Sequence, residues 1–305
     1  MRNRSIGQVL DESSSQHNAR GIALILVSMV AFALADTLVK VSSSFLTPPQ
    51  MMLMLLGGGL ILFVLIAKLR GELVIPSNPL SPILLLRYST EIIGMVGMVT
   101  ALALVPISTV GAITQASPVV SAVGAVFFFG DKVSWRRWSA IALGFVGVVL
   151  VIQPTSSSFD LNVLWAVLAL VALSIRDLTN RAAPRNIPST MLATLTMIAS
   201  IPFALAWVFY AGDDLIPQAA NWWAISAMVA LGSLGYLLLI TSMRVAEIAV
   251  VTPFRYSRIL FLLVLGVVVF GERPGTQVLL GAGLIIASGV YMMWRERRVR
   301  KMQQR

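Results

Sequence analysis

The 305-residue chain has no cysteine, one histidine and only 12% charged residues. The absence of cysteine excludes disulfides, thiolate metal sites and cysteine nucleophiles. The single histidine, His17, lies in a polar N-terminal stretch. A metal site built on clustered histidines is therefore excluded, and no cofactor is expected. So few charges cannot cover the surface of a water-soluble domain, which is normally about 25% charged. The first twenty residues lack the apolar core and small-residue cleavage site of a signal peptide. They are expected to form a loose cytoplasmic tail.

What the sequence has in excess is apolar surface: 57% of residues are hydrophobic and the mean hydropathy is +0.86. The main solvent must be lipid, so the expected fold is an all-α integral membrane protein with the bilayer as its principal partner. Ten apolar runs are long enough to cross: 20–43, 50–69, 81–103, 107–129, 135–153, 161–181, 189–211, 221–243, 248–270 and 276–294. Turn residues or charges separate them, as at Thr47-Pro48-Pro49, Val105-Pro106, Gly130-Asp131-Lys132 and Gly212-Asp213-Asp214. The join near Arg244 to Glu247 is the least marked. Short segments alternating in period two, the mark of a membrane barrel, are not seen.

The net charge is +10. Its placement reads as topology and not as a nucleic-acid patch. One side collects the basic residues of both tails and of alternate loops, among them Lys68, Arg70, Lys132, Arg136, Arg137, Arg181, Arg185 and Arg244. The other side carries Arg273 alone. The positive-inside rule then puts both termini in the cytoplasm, with an inner-membrane location expected.

Sliding the chain over itself by 141 positions superposes its halves. Asp36 falls on Asp177, Lys40 on Arg181, Gly94 on Gly235, and Phe129-Gly130-Asp131-Lys132 on Phe270-Gly271-Glu272-Arg273. The expected organisation is a tail over 1–19, five-helix repeats over 20–154 and 161–295, and a basic cytoplasmic tail over 296–305. Five is odd, so the second repeat must enter the membrane from the opposite face. Inverted repeats of this kind are typical of secondary transporters, with substrate held near the midplane between the halves.

Charges inside spans are expensive and face the bundle interior or water. They comprise Asp36, Lys40, Arg87, Glu91, Arg176, Asp177, Arg255 and Arg258. Symmetry separates them into two groups. Asp36/Lys40 and Asp177/Arg181 recur in both halves at i, i+4 spacing, one pair towards each face, and are candidates for gating or ion coupling. The alternative is that they anchor helix ends. Arg87, Glu91, Arg176, Arg255 and Arg258 have no charged counterpart in the other half, as an asymmetric substrate would require. With Tyr88, Tyr256, Gln115 and Trp165 they form the candidate substrate site. Arg255 or Arg258 suits a carboxylate, and Glu91 or Asp36 an ammonium group or a proton. The alternative for Arg87/Glu91 and Arg176/Asp177 is permanent salt bridges that fix packing. Pro118 and Pro253 each free a backbone carbonyl that a neighbour or a cavity must satisfy. No Ser/His/Asp set or Walker-type loop supports an enzyme.

Gly130-Asp131-Lys132 and Gly271-Glu272-Arg273-Pro274, with Gly281 and Gly289 beyond, resemble the end of an EamA-type domain. Pro253-Phe254-Arg255-Tyr256-Ser257-Arg258 and Arg176-Asp177-Leu178 look like segments of bacterial ten-helix members. Over residues 20–295 the chain is similar to the drug/metabolite transporter superfamily, most of all to YddG-type exporters. The resemblance implies a basket of ten helices, the fifth and tenth packed outside a central cavity. It further implies a monomeric carrier that exports amino acids and related small metabolites by alternating access. The alternatives are drug or organic-cation efflux, or transport of phosphorylated, nucleotide-linked or S-adenosylmethionine-like compounds.

Overall fold

The computed structural model describes residues 6–129, 135–153, 160–184, 186–217, 221–245 and 251–303. Among them every regular element is helical. The helices are α1 (Ile6–Ser42), α2 (Pro48–Leu69), α3 (Pro82–Leu104), α4 (Ile107–Thr114), α5 (Ser117–Phe129), α6 (Trp135–Ile152), α7 (Val163–Ala182), α8 (Ser189–Ala211), α9 (Trp222–Val245), α10 (Ser257–Phe270) and α11 (Thr276–Gln303). A short 3-10 helix, Thr252–Tyr256, leads into α10.

Helix boundaries follow the local chemistry. Thr47 caps α2 in a reciprocal capping box with Gln50, and Pro48 occupies the first turn, where its missing N–H costs nothing. Val105-Pro106 ends α3 in extended backbone and opens α4. Gly212 and Gly271 stop α8 and α10 in the left-handed conformation. The fourth predicted segment is broken between α4 and α5 because Pro118 cannot donate to the Thr114 carbonyl. The ninth contains the 3-10 turn after Pro253. Under the 141-residue offset the end of the 3-10 turn falls on Gln115, where the fourth segment breaks.

Two expectations change. The N-terminal tail is helical from Ile6 and continuous with the first segment, since no proline interrupts the propagation of the apolar helix backwards through Glu12 and Gln16. Among the described residues six helical stretches qualify by length and apolar composition to cross a membrane, with Trp138–Ile152 and Thr276–Tyr291 as shorter apolar helices. The sixth and ninth segments fall outside that set. α10 is shortened by the turn before it.

The main packing partners are α1 with α9, α3 with α7, α2 with α8, and α6 with α11. Each of these contacts joins one repeat to the other, and the set is unchanged when the repeats are exchanged. Equivalent segments run antiparallel. Thr47 at the start of α2 donates to Asp213 just past α8 at 2.5 Å, while Thr190 at the start of α8 bonds Glu72 just past α2. Gly147 on α6 meets Gly281 and Ile285 on α11, and Gly144 meets Ser288. The two halves are therefore inverted relative to each other.

Glycines set the closest approaches. A Cβ on Gly94 would lie 2.5 Å from Leu173, and one on Gly235 would lie 3.1 Å from Phe32, the equivalent contact in the other half. A Cβ on Gly97 would meet the backbone of α7, at 2.8 Å from the Trp165 carbonyl and 2.9 Å from the Ala169 nitrogen. Backbone cannot move aside as a leucine side chain can. Gly97→Ala is therefore expected to cost about 1–3 kcal/mol and to lower the thermal midpoint in detergent clearly. Gly94→Ala should lower it less, and the reverse order would refute this account of the α3–α7 seam.

Candidate functional site

The charges predicted within spans converge on the seams between the repeats. On α7, Arg176 is a clamp: its Nη1 donates to both oxygens of Glu91 on α3 at 3.1 and 3.2 Å. Its Nε and Nη2 donate to Asp177 Oδ1 at 3.1 and 2.8 Å. On the opposite seam, Asp36 of α1 pairs with Arg258 of α10, whose guanidinium also stands 5.3 Å from the centre of the Phe32 ring. The side chains of these five residues remain 11–29% accessible. They are held between helices and yet not sealed off, as the wall of a polar hollow would be.

Arg87 is buried on α3 and donates from Nε to Thr196 of α8 at 3.0 Å. Gln115, the C-cap of α4, donates from Nε2 to the Arg255 carbonyl at 2.5 Å. That bond joins the break in the fourth segment to the 3-10 turn of the ninth and satisfies one carbonyl of the irregular backbone. The Arg255 side chain makes no hydrogen bond or ion pair among the described residues. It lies in the field of Asp177, whose Oδ2 likewise accepts nothing among them. Among the described residues, then, one guanidinium and one carboxylate oxygen of the interior take no partner.

Other candidates sit elsewhere. Tyr88 bonds the Pro79 carbonyl at 3.1 Å and packs with Leu84, Ile187 and Met191, in a cluster of its own. Trp165 lies at the far end of α7 from Arg176 and is 37% exposed, with its backbone against Gly97. Tyr256 is buried, with its hydroxyl packed over Gly289 of α11. The i, i+4 pairs also rearrange. Asp36 turns to Arg258, and Lys40 to the α3 carbonyls of Leu102 and Val105. Asp177 turns to Arg176. Arg181 is on α7, but its side chain lies outside the described residues, as do Asp131 and Lys132. A carboxylate between helices is better satisfied by a forked guanidinium from across a seam than by a flexible lysine one turn away.

Sequence reasoning missed Tyr236. It lies on α9 within the electrostatic reach of Arg87, Arg176, Glu91 and Asp177, with its ring edge-on to Phe63 at 5.1 Å. Its signal was available, since a tyrosine in mid-span replaces Met95 of the other half.

A seam-lined charged interior between inverted halves of a membrane bundle is the architecture of a transporter. The chain belongs to the EamA-like transporter family, whose profile matches residues 19–153 and 161–294. It is similar to an S-adenosylmethionine uptake transporter of Rickettsia bellii, at 26% identity over 67% of this chain and 70% of that one. It is also similar to a riboflavin transporter of Rhizobium johnstonii, at 30% identity over 71% and 72%. A solved crystal structure at 18% identity shares the fold, with a TM-score of 0.62 over 91% of this chain and 98% of that one. The relatives are named as transporters, not enzymes.

Removing Arg176 takes from Glu91 and Asp177 the one guanidinium that bonds them both. Arg176→Leu is expected to cost about 3–5 kcal/mol and to collapse the thermal midpoint. Arg255→Leu, which breaks no bond of its side chain, should shift the midpoint little. Comparable shifts in the two variants would refute the distinction between a structural clamp and an open cation.

Proposed function

We propose that this protein is an inner-membrane carrier with ten crossing segments and both termini in the cytoplasm, moving metabolites that bear an α-amino-carboxylate head group by alternating access. The observation that carries the reading is the open pair Arg255 and Asp177 Oδ2. Within the interior, four guanidiniums (Arg87, Arg176, Arg255, Arg258) stand against three carboxylates (Asp36, Glu91, Asp177). The surplus is one positive charge, and Arg255 is where it is unsatisfied. A substrate carboxylate neutralises that surplus through the planar guanidinium fork. An ammonium group on the same substrate meets Asp177 Oδ2. A ligand that carries both charges satisfies both groups.

Free amino acids and S-adenosylmethionine share this head group. The names of the relatives support S-adenosylmethionine as the particular compound and inward movement as its direction. Amino-acid export, the expectation from sequence, uses the same binding groups.

The reading is tested by counterflow in liposomes containing the purified protein. Labelled S-adenosylmethionine or methionine should exchange, unlabelled amino acids should compete, and Arg255→Ala should reduce exchange at least tenfold. Exchange confined to riboflavin, phosphorylated compounds or simple organic cations, none of which carries an α-amino-carboxylate, would refute it.

A further inference from the structure

At one end of the bundle two residues act on the same backbone elbow. The elbow is Val105-Pro106, where α3 ends and α4 begins. Its two faces carry opposite partial charges: unpaired carbonyls at the end of α3 and unpaired N–H groups at the start of α4. Lys40, at the end of α1, takes the carbonyls. Its Nζ donates to Val105 at 2.6 Å and to Leu102 at 3.2 Å, and it also lies 5.5 Å from the centre of the Phe270 ring. Glu272, just past α10, takes the N–H groups. Its carboxylate accepts from Ile107 N at 2.7 Å, Ser108 N at 3.1 Å and Ser108 Oγ at 2.6 Å.

Local backbone places Glu272 there. Gly271 adopts φ +63, and Glu272 N bonds back to the Gly266 carbonyl at 3.0 Å. The carboxylate then lies over Gly266, where a Cβ would be 2.7 Å from its Oε2. Four segments, the first, third, fourth and ninth, are thereby drawn together at a single end, about one turn beyond Asp36.

The contacts of α2 with α8 differ in kind. There an acid–hydroxyl bond is made at both ends at once, Thr47 with Asp213 and Glu72 with Thr190. Exchanging the inward and outward states of inverted repeats maps each of these bonds onto its counterpart. They can therefore persist through the cycle.

We infer that Lys40 and Glu272 are a latch on the Val105–Pro106 elbow that closes this mouth of the hollow, while the α2–α8 clasps stay fastened. The inference rests on the carrier reading for its purpose, but its test needs no substrate.

The chain's lack of cysteine permits single introduced thiols. Thr114, equivalent to Arg255 in the other half, is partly accessible one to two turns past the elbow. In vesicles, Thr114→Cys should react slowly with a membrane-impermeant maleimide added from the side that bears Glu272. Thr276→Cys, exposed at that same end, gives the reference rate. Adding Lys40→Met with Glu272→Gln should raise the normalised Thr114→Cys rate at least fivefold, whereas Thr47→Ala with Thr190→Ala should leave it within twofold. An unchanged rate in the first background, or an equal rise in the second, would overturn the latch. Where the double latch variant does not fold, Ser108→Cys with Glu272→Cys is oxidised in the otherwise cysteine-free chain. Disulfide formation without added substrate is expected in most molecules, and a crosslink yield near zero would overturn it equally. Failure of the substrate assay with these outcomes intact would count against the head-group reading alone.

Discussion

A guanidinium in hydrocarbon costs several kilocalories per mole unless it finds a counter-charge or water, and this bundle is arranged around that cost. Arg176 and Arg258 each lie on a seam between the repeats with a carboxylate from the other side of the seam. The Arg176 pair joins α7 to α3, and the Arg258 pair joins α10 to α1. The helices that must pack to satisfy these charges are those that the inverted symmetry pairs. Electrostatics and helix packing thus specify the same neighbours, which is the consistency expected of a sequence with one folded arrangement.

The same seams are where the two halves part company. Asp36 and Asp177 are equivalent, yet Asp36 meets an arginine from α10 while the equivalent position to that arginine is Ser117, which bonds Ser174 at 3.1 Å. Asp177 instead takes the Arg176 beside it and keeps one oxygen free. Symmetric scaffolding with an asymmetric lining suits a machine that must present one bound compound to two faces in turn. The broken helices serve the same end. Pro118 and Pro253 put irregular backbone at equivalent points of the fourth and ninth segments, and the Gln115 side chain ties them together across the interface.

Much of the fold was legible beforehand. The all-helical membrane architecture, the repeat offset and the inversion all follow from apolar runs, aligned charges and an odd number of apolar runs per half. The two kinks were announced by proline. The site was legible in membership more than in pairing. Glu91, Arg176, Asp177, Arg255, Arg258 and Asp36 were singled out as charges in apolar runs, but spacing along one helix suggested Asp36 with Lys40 and Arg87 with Glu91. Tyr88 and Tyr256 were drawn in by proximity in sequence, and their hydroxyls turn to the Pro79 carbonyl and to Gly289. Tyr236 and Phe32 were passed over because an aromatic residue in a lipid-facing span is ordinarily unremarkable.

The sequence by itself determined that the chain lives in lipid, that it is built twice, and which ionisable groups must be hidden from hydrocarbon, because each of these depends on composition or on a constant offset along the chain. Only the tertiary structure decided which acid Arg176 and Arg258 hold, that Arg255 and one oxygen of Asp177 take no partner among the described residues, and that Lys40 and Glu272 grip opposite faces of one elbow. Those outcomes depend on which helices face each other and on the distances between groups far apart in sequence, and no local period encodes them.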